Sequence, residues 1–239
     1  MTKTRNLAAV GVGPGDAELI TLKGYRRLQA ADVVFVPRSK DGSMSLAQRI
    51  VQEHLSEDQL VVALPLPMTR NPDLLVPAWE SAAELMLQVM VANDVTNAVY
   101  ILLGDPMLYG TFTYIWERLK VMVPDLEIEI VPGVTSFAAT AAVTQTILST
   151  TDDRLAILPA SYETDTSVLE DLLSRFDTII FLKVGPVLSQ ILESLDSLGL
   201  IDNAVYGERV GMPEEVLVTN VRSLMGETRP YLSLLIVKK

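Results

Sequence analysis

Four short stretches carry residue types and spacings that could serve chemistry. The first, AVGVGPGDAELITLKG at residues 9–24, sets glycines at 11, 13 and 15 directly after an apolar run. Such a loop lets backbone approach a ligand closely, and the obvious ligand is a pyrophosphate, whose fingerprint is G-x-G-x-x-G between a strand and a helix. The match fails, because Asp16 stands where the third glycine belongs and Pro14 has no N–H to offer a phosphate oxygen. A carboxylate in the loop also repels an anion. A neutral or cationic ligand suits the stretch better.

The second stretch is LLGDPMLYGTF at residues 102–112, where Gly104 permits a tight exit from a strand, Asp105 supplies a carboxylate and Pro106 opens a turn with a fixed φ. In the third, IVPGVTSFAATAA at 130–142, Pro132 and Gly133 end a strand, Thr135 or Ser136 can cap a helix, and the alanines admit a close neighbour. FLKVG at 181–185 is the fourth and puts Lys183 at a strand end. Taken singly, each is also an ordinary turn. Two other features point away from catalysis. His54 closes a helix, where a cation suits the macrodipole and a surface position is expected. Glu214 and Glu215 are adjacent in a turn into a strand, so they face opposite ways and make a poor acid/base pair.

The elements that must carry these loops alternate between β-branched runs and amphipathic helices, the pattern of parallel α/β construction. Strands are expected at 7–12, 32–36, 60–64, 98–103 and 127–131, with helices at 21–31 (capped by Thr21), 44–55, 73–92 and 110–122. After residue 133 come a helix rich in small residues and strands at 155–158, 178–182, 204–207, 215–219 and 231–237, with helices near 166–175 and 186–198. The polar segment between the last two strands is too short for an ordinary crossover, which predicts an antiparallel portion in this second sheet. The fold class is therefore two α/β domains, the first mostly parallel and the second mixed, divided as 1–123 and 124–239. In parallel sheets ligands bind where loops leave the carboxyl ends of the strands, and the four stretches all fall there.

Composition narrows the function classes. The chain has 239 residues, a net charge of −11, one histidine and no cysteine. The charge disfavours nucleic-acid binding, and the missing thiols exclude disulfides, thiolate nucleophiles and sulfur-bound zinc while fitting a reducing cytoplasm. No signal peptide is legible at the start and no apolar run approaches the roughly 20 residues of a membrane span, so a soluble, untargeted protein is expected.

In their order along the chain, G-x-G-P-G-D, G-D-P and P-G-x-[ST]-S resemble the tetrapyrrole methylase family. GDPMLYGTFTYI, EIVPGVTSFAATAA, FLKVG, YGERVGMPEE and the closing PYLSLLIV resemble its precorrin-2 C-20-methyltransferase branch. The resemblance runs from residue 7 to 237. It implies a homodimeric two-domain enzyme of cobalamin biosynthesis that binds S-adenosylmethionine in the cleft between its domains and methylates C-20 of precorrin-2 or its cobalt form. A sulfonium donor without phosphate agrees with the acidic glycine loop, and methyl transfer to an electron-rich carbon needs no nucleophile from the protein.

By the same resemblance, Leu103, Gly104, Asp105, Tyr109, Thr135 and Ser136 lie around the amino-acid end of the donor. Leu182, Lys183, Gly207, Glu208, Tyr231 and Ser233 then surround its adenosine, while Pro14 and Asp16 floor the tetrapyrrole trough or simply pack strand on helix. Precorrin-2 is a polycarboxylate, for which Arg38, Lys40 and Arg70 are candidate partners. Asp105, Tyr231 and Lys183 are the candidates for handling the C-20 proton or holding the ring's tautomer. The metal state of the ring is open, and no metal-ligating set is expected in the protein. Three rivals remain at this point. A nicotinamide oxidoreductase would need an acid after the second strand, whereas Asp32 precedes it; the others are a sister methylase acting at another ring position and a non-catalytic tetrapyrrole or nucleoside sensor.

Overall fold

The computed structural model describes residues 5–38, 44–69, 71–160 and 166–239. The chain divides into two units, Met1–Thr135 and Ser136–Lys239.

In the first unit, strands β1 (Asn6–Gly11), β2 (Val33–Arg38), β3 (Leu60–Pro65), β4 (Asn97–Leu102) and β5 (Glu127–Val131) form one sheet in the order β3-β2-β4-β1-β5. Every pairing is parallel. Strands buried on both faces read as continuous apolar runs, and successive residues separate cleanly here. Leu7, Ala9, Val33, Phe35, Tyr100 and Leu102 face helices α3 (Pro72–Ala92) and α4 (Phe112–Met122). Ala8, Val10, Val34, Val36, Val99 and Ile101 face α1 (Leu22–Gln29) and α2 (Leu46–Val51). Sequence sets the helix starts. Thr21 Oγ1 accepts from Gly24 N at 3.1 Å, Ser45 Oγ from Gln48 N at 3.1 Å, and Asn71 Oδ1 from Asp73 N at 3.0 Å, each cap contributing about 1 kcal/mol.

The topology positions the loops. After β1 the chain crosses by α1 on one face toward β2; after the neighbouring β4 it crosses by α4 on the other face toward β5. Adjacent strands whose connections diverge in this way open a crevice beyond their carboxyl ends, where such sheets bind ligands. The loops at that crevice are residues 12–16 and 103–111. At the opposite end, Asp32 Oδ2 accepts from Thr96 N and Asn97 N, both at 2.9 Å, so Asp32 lies at the wrong end of β2 to hold a ribose.

The second unit contains α5 (Ser136–Thr144), β6 (Leu155–Pro159), α6 (Thr166–Arg175), β7 (Thr178–Leu182), α7 (Leu188–Ser197), β8 (Ala204–Glu208), β9 (Val216–Val218) and β10 (Ser233–Lys238). Its sheet runs β6-β7-β10-β8-β9, with β6 parallel to β7 and the other pairings antiparallel. Phe181, Tyr206, Leu235 and Val237 face the helices α6 and α7, while Ile180, Leu234 and Ile236 face Ala141 of α5.

Three expectations change. The units part at residue 135 and not at 123, because β5 pairs with β1 and brings residues 124–135 into the first unit. The mixed sheet forms as expected but by different pairs: β9 and β10 do not meet, and each runs antiparallel to β8 between them. Finally, α3 has 21 residues and is long and apolar enough by composition to cross a membrane. Its Ala82, Ala83, Met86 and Met90 instead pack on the first sheet.

Candidate functional site

In the first unit three turns leave the neighbouring strands β4, β1 and β5 and are knit together by backbone. Val12 N donates to Leu102 O at 3.0 Å and Gly104 N to Gly13 O at 2.8 Å. A Cβ on Gly11 would lie 2.3 Å from Gly104 O, and one on Gly133 only 2.1 Å from it. No side chain fits there, which is why glycine stands at both positions. Gly13 (φ +83°) and Gly104 (φ +69°) occupy the left-handed region, and the space where a Cβ of Gly104 would point is open to 4 Å. This is a cradle where a ligand can reach main chain.

Asp105 locks the cradle. Its Oδ1 accepts from Met107 N at 2.8 Å and its Oδ2 from Gly133 N at 3.0 Å, so one carboxylate spans two turns 28 residues apart. Both oxygens are engaged with main chain, which makes the carboxylate a brace between the turns. The far end of the same loop is pinned by Tyr100, fully buried in β4, whose hydroxyl shares a hydrogen bond with Thr111 Oγ1 at 3.2 Å. Burial pushes that phenol up to about 12. Between these anchors Tyr109 has φ 55° and is 49% exposed. A left-handed tyrosine costs of order 1–2 kcal/mol, and its ring stands out of the fold.

The other candidates of this unit fall as follows. Leu103 is half-buried against the α1 face of the sheet. Asp16 Oδ1 accepts from Glu18 N at 2.8 Å and caps the short 3₁₀ turn Ala17–Leu19, while Pro14 is buried. Both therefore shape the turn after β1. Arg38 ends β2 and is half-buried. Lys40 and Arg70 lie outside the described residues. Thr135 closes the unit and is half-buried. His54 departs from its expected surface position: its ring meets Tyr25 edge-on at 5.3 Å and its Nε2 is buried.

In the second unit the loops after β7 and β8 and the segment before β10 form a second cluster. Lys183 (φ 60°) donates its N–H to Ser233 O at 2.8 Å, and its Nζ sits 5.5 Å from the centre of the Tyr231 ring, which is 42% exposed. Ser233 Oγ accepts from Gly185 N at 2.9 Å and donates to Pro230 O at 2.7 Å. A Cβ on Gly185 would lie 2.1 Å from Pro230 O. The Ser233 hydroxyl is thus a latch between loops, and Leu182 pairs with Leu234 beside it.

Gly207 and Glu208 face opposite sides of β8. At Gly207 a Cβ would meet Thr140 Oγ1 of α5 at 2.8 Å, and Thr140 Oγ1 itself donates to Ser136 O at 2.9 Å. Glu208 is 6% exposed, accepts from Tyr206 OH at 2.8 Å and lies 3.7 Å from Arg229, which also pairs with Glu227 at 2.6 Å. Burial, and then the bond to Glu208, pushes the Tyr206 phenol above its ordinary range. Glu208 and Ser233, both expected beside adenosine, are also hydrogen-bonded within the fold. Tyr206 and Arg229 were not legible as partners of Glu208, although their i, i+2 spacing on one strand face is the signal for Tyr206.

A parallel α/β unit with glycine-lined turns on neighbouring strands, followed by a second unit with a mixed sheet, defines a class: the Tetrapyrrole (Corrin/Porphyrin) Methylases, whose family model matches residues 6–224. The chain belongs to this family. It is 33% identical to the probable cobalt-precorrin-2 C(20)-methyltransferase of Methanocaldococcus jannaschii, over 98% of this chain and 96% of that one. It is 31% identical to the cobalt-precorrin-2 C(20)-methyltransferase of Salmonella typhimurium, over 98% and 96% of the two chains. Among solved structures, a cobalt precorrin-4 methyltransferase superposes with a TM-score of 0.70 at 22% identity, covering 98% of this chain and 94% of that chain. The uroporphyrin-III C-methyltransferase of Thermus thermophilus, in complex with S-adenosylhomocysteine, gives 0.63 at 24% identity, covering 98% and 97%.

Proposed function

We propose that this chain is an S-adenosylmethionine-dependent methyltransferase that methylates C-20 of precorrin-2 or cobalt-precorrin-2 in cobalamin biosynthesis. The observation that carries the reading is similarity across essentially the whole chain to C(20)-methyltransferases, at 33% and 31% identity. A cobalt-precorrin-4 C(11)-methyltransferase of Methanocaldococcus jannaschii is matched at 29% identity over 78% of the chain, and supplies the competing regiochemistry.

The residues fit such a donor. The open space at Gly104 admits the amino-acid end of the molecule to main chain, and the exposed rings of Tyr109 and Tyr231 suit a sulfonium or a purine. The donor contributes a methyl group on a positively charged sulfur: C-20 supplies the electron pair of the new C–C bond, the sulfur keeps that of the broken one, and C-20 loses a proton. The protein must align the attacking carbon, the methyl and the sulfur, which positioning arguments value at up to about 7–11 kcal/mol. The braced turns around Asp105 serve that alignment. Tyr231 and Lys183 are the candidates for proton handling that do not also brace the turns, and Asp105 is the third. Arg38, Lys40 and Arg70 remain candidates for the ring's carboxylates. A homodimer and a cytoplasmic setting belong to the same proposal.

Calorimetry with S-adenosylhomocysteine and NADH, followed by mass analysis of precorrin-2 and cobalt-precorrin-2 incubated with enzyme and donor, tests it. Binding of S-adenosylhomocysteine and gain of one methyl on either ring support the reading. NADH binding alone, or donor binding without turnover on any reduced tetrapyrrole, contradicts it.

A further inference from the structure

We infer that Arg209, in the loop after β8, is a carboxylate-binding residue of the second unit; the inference rests on the methyltransferase reading above. Two independent observations lead to it.

The first is electrostatic. In this unit Arg175 pairs with Asp171, Arg222 with Asp196 and Asp202, Arg229 with Glu227, and Lys238 with Asp153. Lys183 sits by the Tyr231 ring, and Arg154 and Lys239 are exposed. Arg209 is half-buried, and its guanidinium has no partner among the described residues. Its neighbour Glu208 does not neutralise it, being turned to Tyr206 and Arg229. A half-buried guanidinium with no counter-charge in the fold is placed to take one from a bound anion.

The second is conformational. Among the described residues, five other than glycine have positive φ. Asp94 and Gln145 directly follow the ends of α3 and α5, where left-handed residues ordinarily terminate helices. Tyr109, Lys183 and Arg209 instead follow β4, β7 and β8. Arg209, at φ 47°, donates its N–H to Leu232 O at 3.0 Å and accepts from Met212 N at 2.9 Å. The fold thus holds an arginine in a conformation that Asn or Gly adopts with less strain, beside the segment carrying Tyr231. Strain of this kind is retained where a side chain has work to do.

A planar guanidinium matches a carboxylate through two parallel N–H···O bonds. Two reaction partners carry that group, the ring's acid side chains and the amino-acid end of the donor, and they are separable. Arg209→Asn removes the charge while favouring the backbone; Arg209→Lys keeps the charge and loses the fork. Both are titrated with S-adenosylhomocysteine, with methylthioadenosine (which lacks the carboxylate) and with the polycarboxylate uroporphyrin III.

For Arg209→Asn, a thermal midpoint equal to or above the parent's is expected. A loss of about tenfold or more in affinity is expected for one carboxylate-bearing probe, with methylthioadenosine unchanged and Arg209→Lys intermediate. Loss confined to S-adenosylhomocysteine assigns the donor's carboxylate; loss confined to uroporphyrin assigns the ring's. Affinities for both within twofold of the parent overturn the assignment. A parent protein that binds none of the three probes overturns the methyltransferase reading itself, and this inference with it.

Discussion

The Asp105 carboxylate makes the sharpest prediction, because a brace and a general base respond differently to the same substitution. Asp105→Asn keeps the side-chain size but presents an N–H₂ group to one of two backbone donors, Met107 N or Gly133 N, now held at 2.8 and 3.0 Å from carboxylate oxygens. A hydrogen bond to a charged group contributes about 1.5–3 kcal/mol. The Met107 bond is exposed and belongs at the low end of that range. The asparagine loses one bond, weakens the other and sets donor against donor, a destabilisation of about 2 kcal/mol; Asp105→Ala loses both, about 3 kcal/mol. At about 3 °C per kcal/mol the midpoints fall by about 6 and 9 °C. Turnover falls at least tenfold in Asp105→Ala, because the Gly104 cradle loosens, and S-adenosylhomocysteine affinity falls with it. The assay is scanning calorimetry together with kcat and kcat/KM across pH. In the Asn variant the pH profile keeps its shape at reduced height. A variant as stable as the parent, whose activity loses one limb of its pH dependence, would refute the brace and restore Asp105 as a proton acceptor. Near-normal turnover in a folded variant would remove it from the mechanism altogether.

Other consequences are independent of that residue. Gly133→Ala places a methyl 2.1 Å from Gly104 O, a backbone clash expected to cost about 3 kcal/mol or more; a midpoint within 2 °C of the parent, about the smallest shift that 1 kcal/mol gives, would disprove the tight packing. Tyr231→Leu removes the ring beside Lys183 Nζ and is expected to weaken S-adenosylhomocysteine binding severalfold, whereas Tyr231→Phe keeps the ring and the affinity but lowers turnover if the hydroxyl handles the proton. Hydrogen bonds from Arg27 and then Lys23 hold the Glu129 carboxyl below the usual range. A depressed folded-state value contributes stability above the unfolded-state value of about 4.3, lost as pH falls through the folded one; Glu129→Gln should flatten acid unfolding there, by no more than about 1 kcal/mol because the pair is partly solvated, and an unchanged acid slope would argue against it.

Local signals in the sequence were enough for much of the fold. The β-branched runs announced β1, β2 and β4 as strands of a parallel α/β unit, and Thr21 marked the start of α1, where it caps Gly24. The unit boundary was less legible, because residues 124–135 join the first unit through pairing of β5 with β1, more than a hundred residues back. The same holds for the site. Glycine turns announced where a ligand could approach, but that Gly11 and Gly133 crowd a single carbonyl is visible only after three loops converge. Asp105 reads as a free acid until Gly133 is seen to donate to it. That Ser233 and Glu208 also have partners within the fold is visible only once those partners are placed. Arg209 stood in the sequence only as one residue of YGERVGMPEE, since neither a positive φ nor a missing partner is written in residue types.

The central claim is methylation at one carbon. Precorrin-2 and its cobalt complex, incubated separately with the enzyme and a donor carrying a carbon-13 methyl group, give products whose NMR spectra locate the label. The enriched methyl is expected on C-20 of at least one of them. An enriched methyl on any other ring carbon, or none on either product, would contradict the assignment.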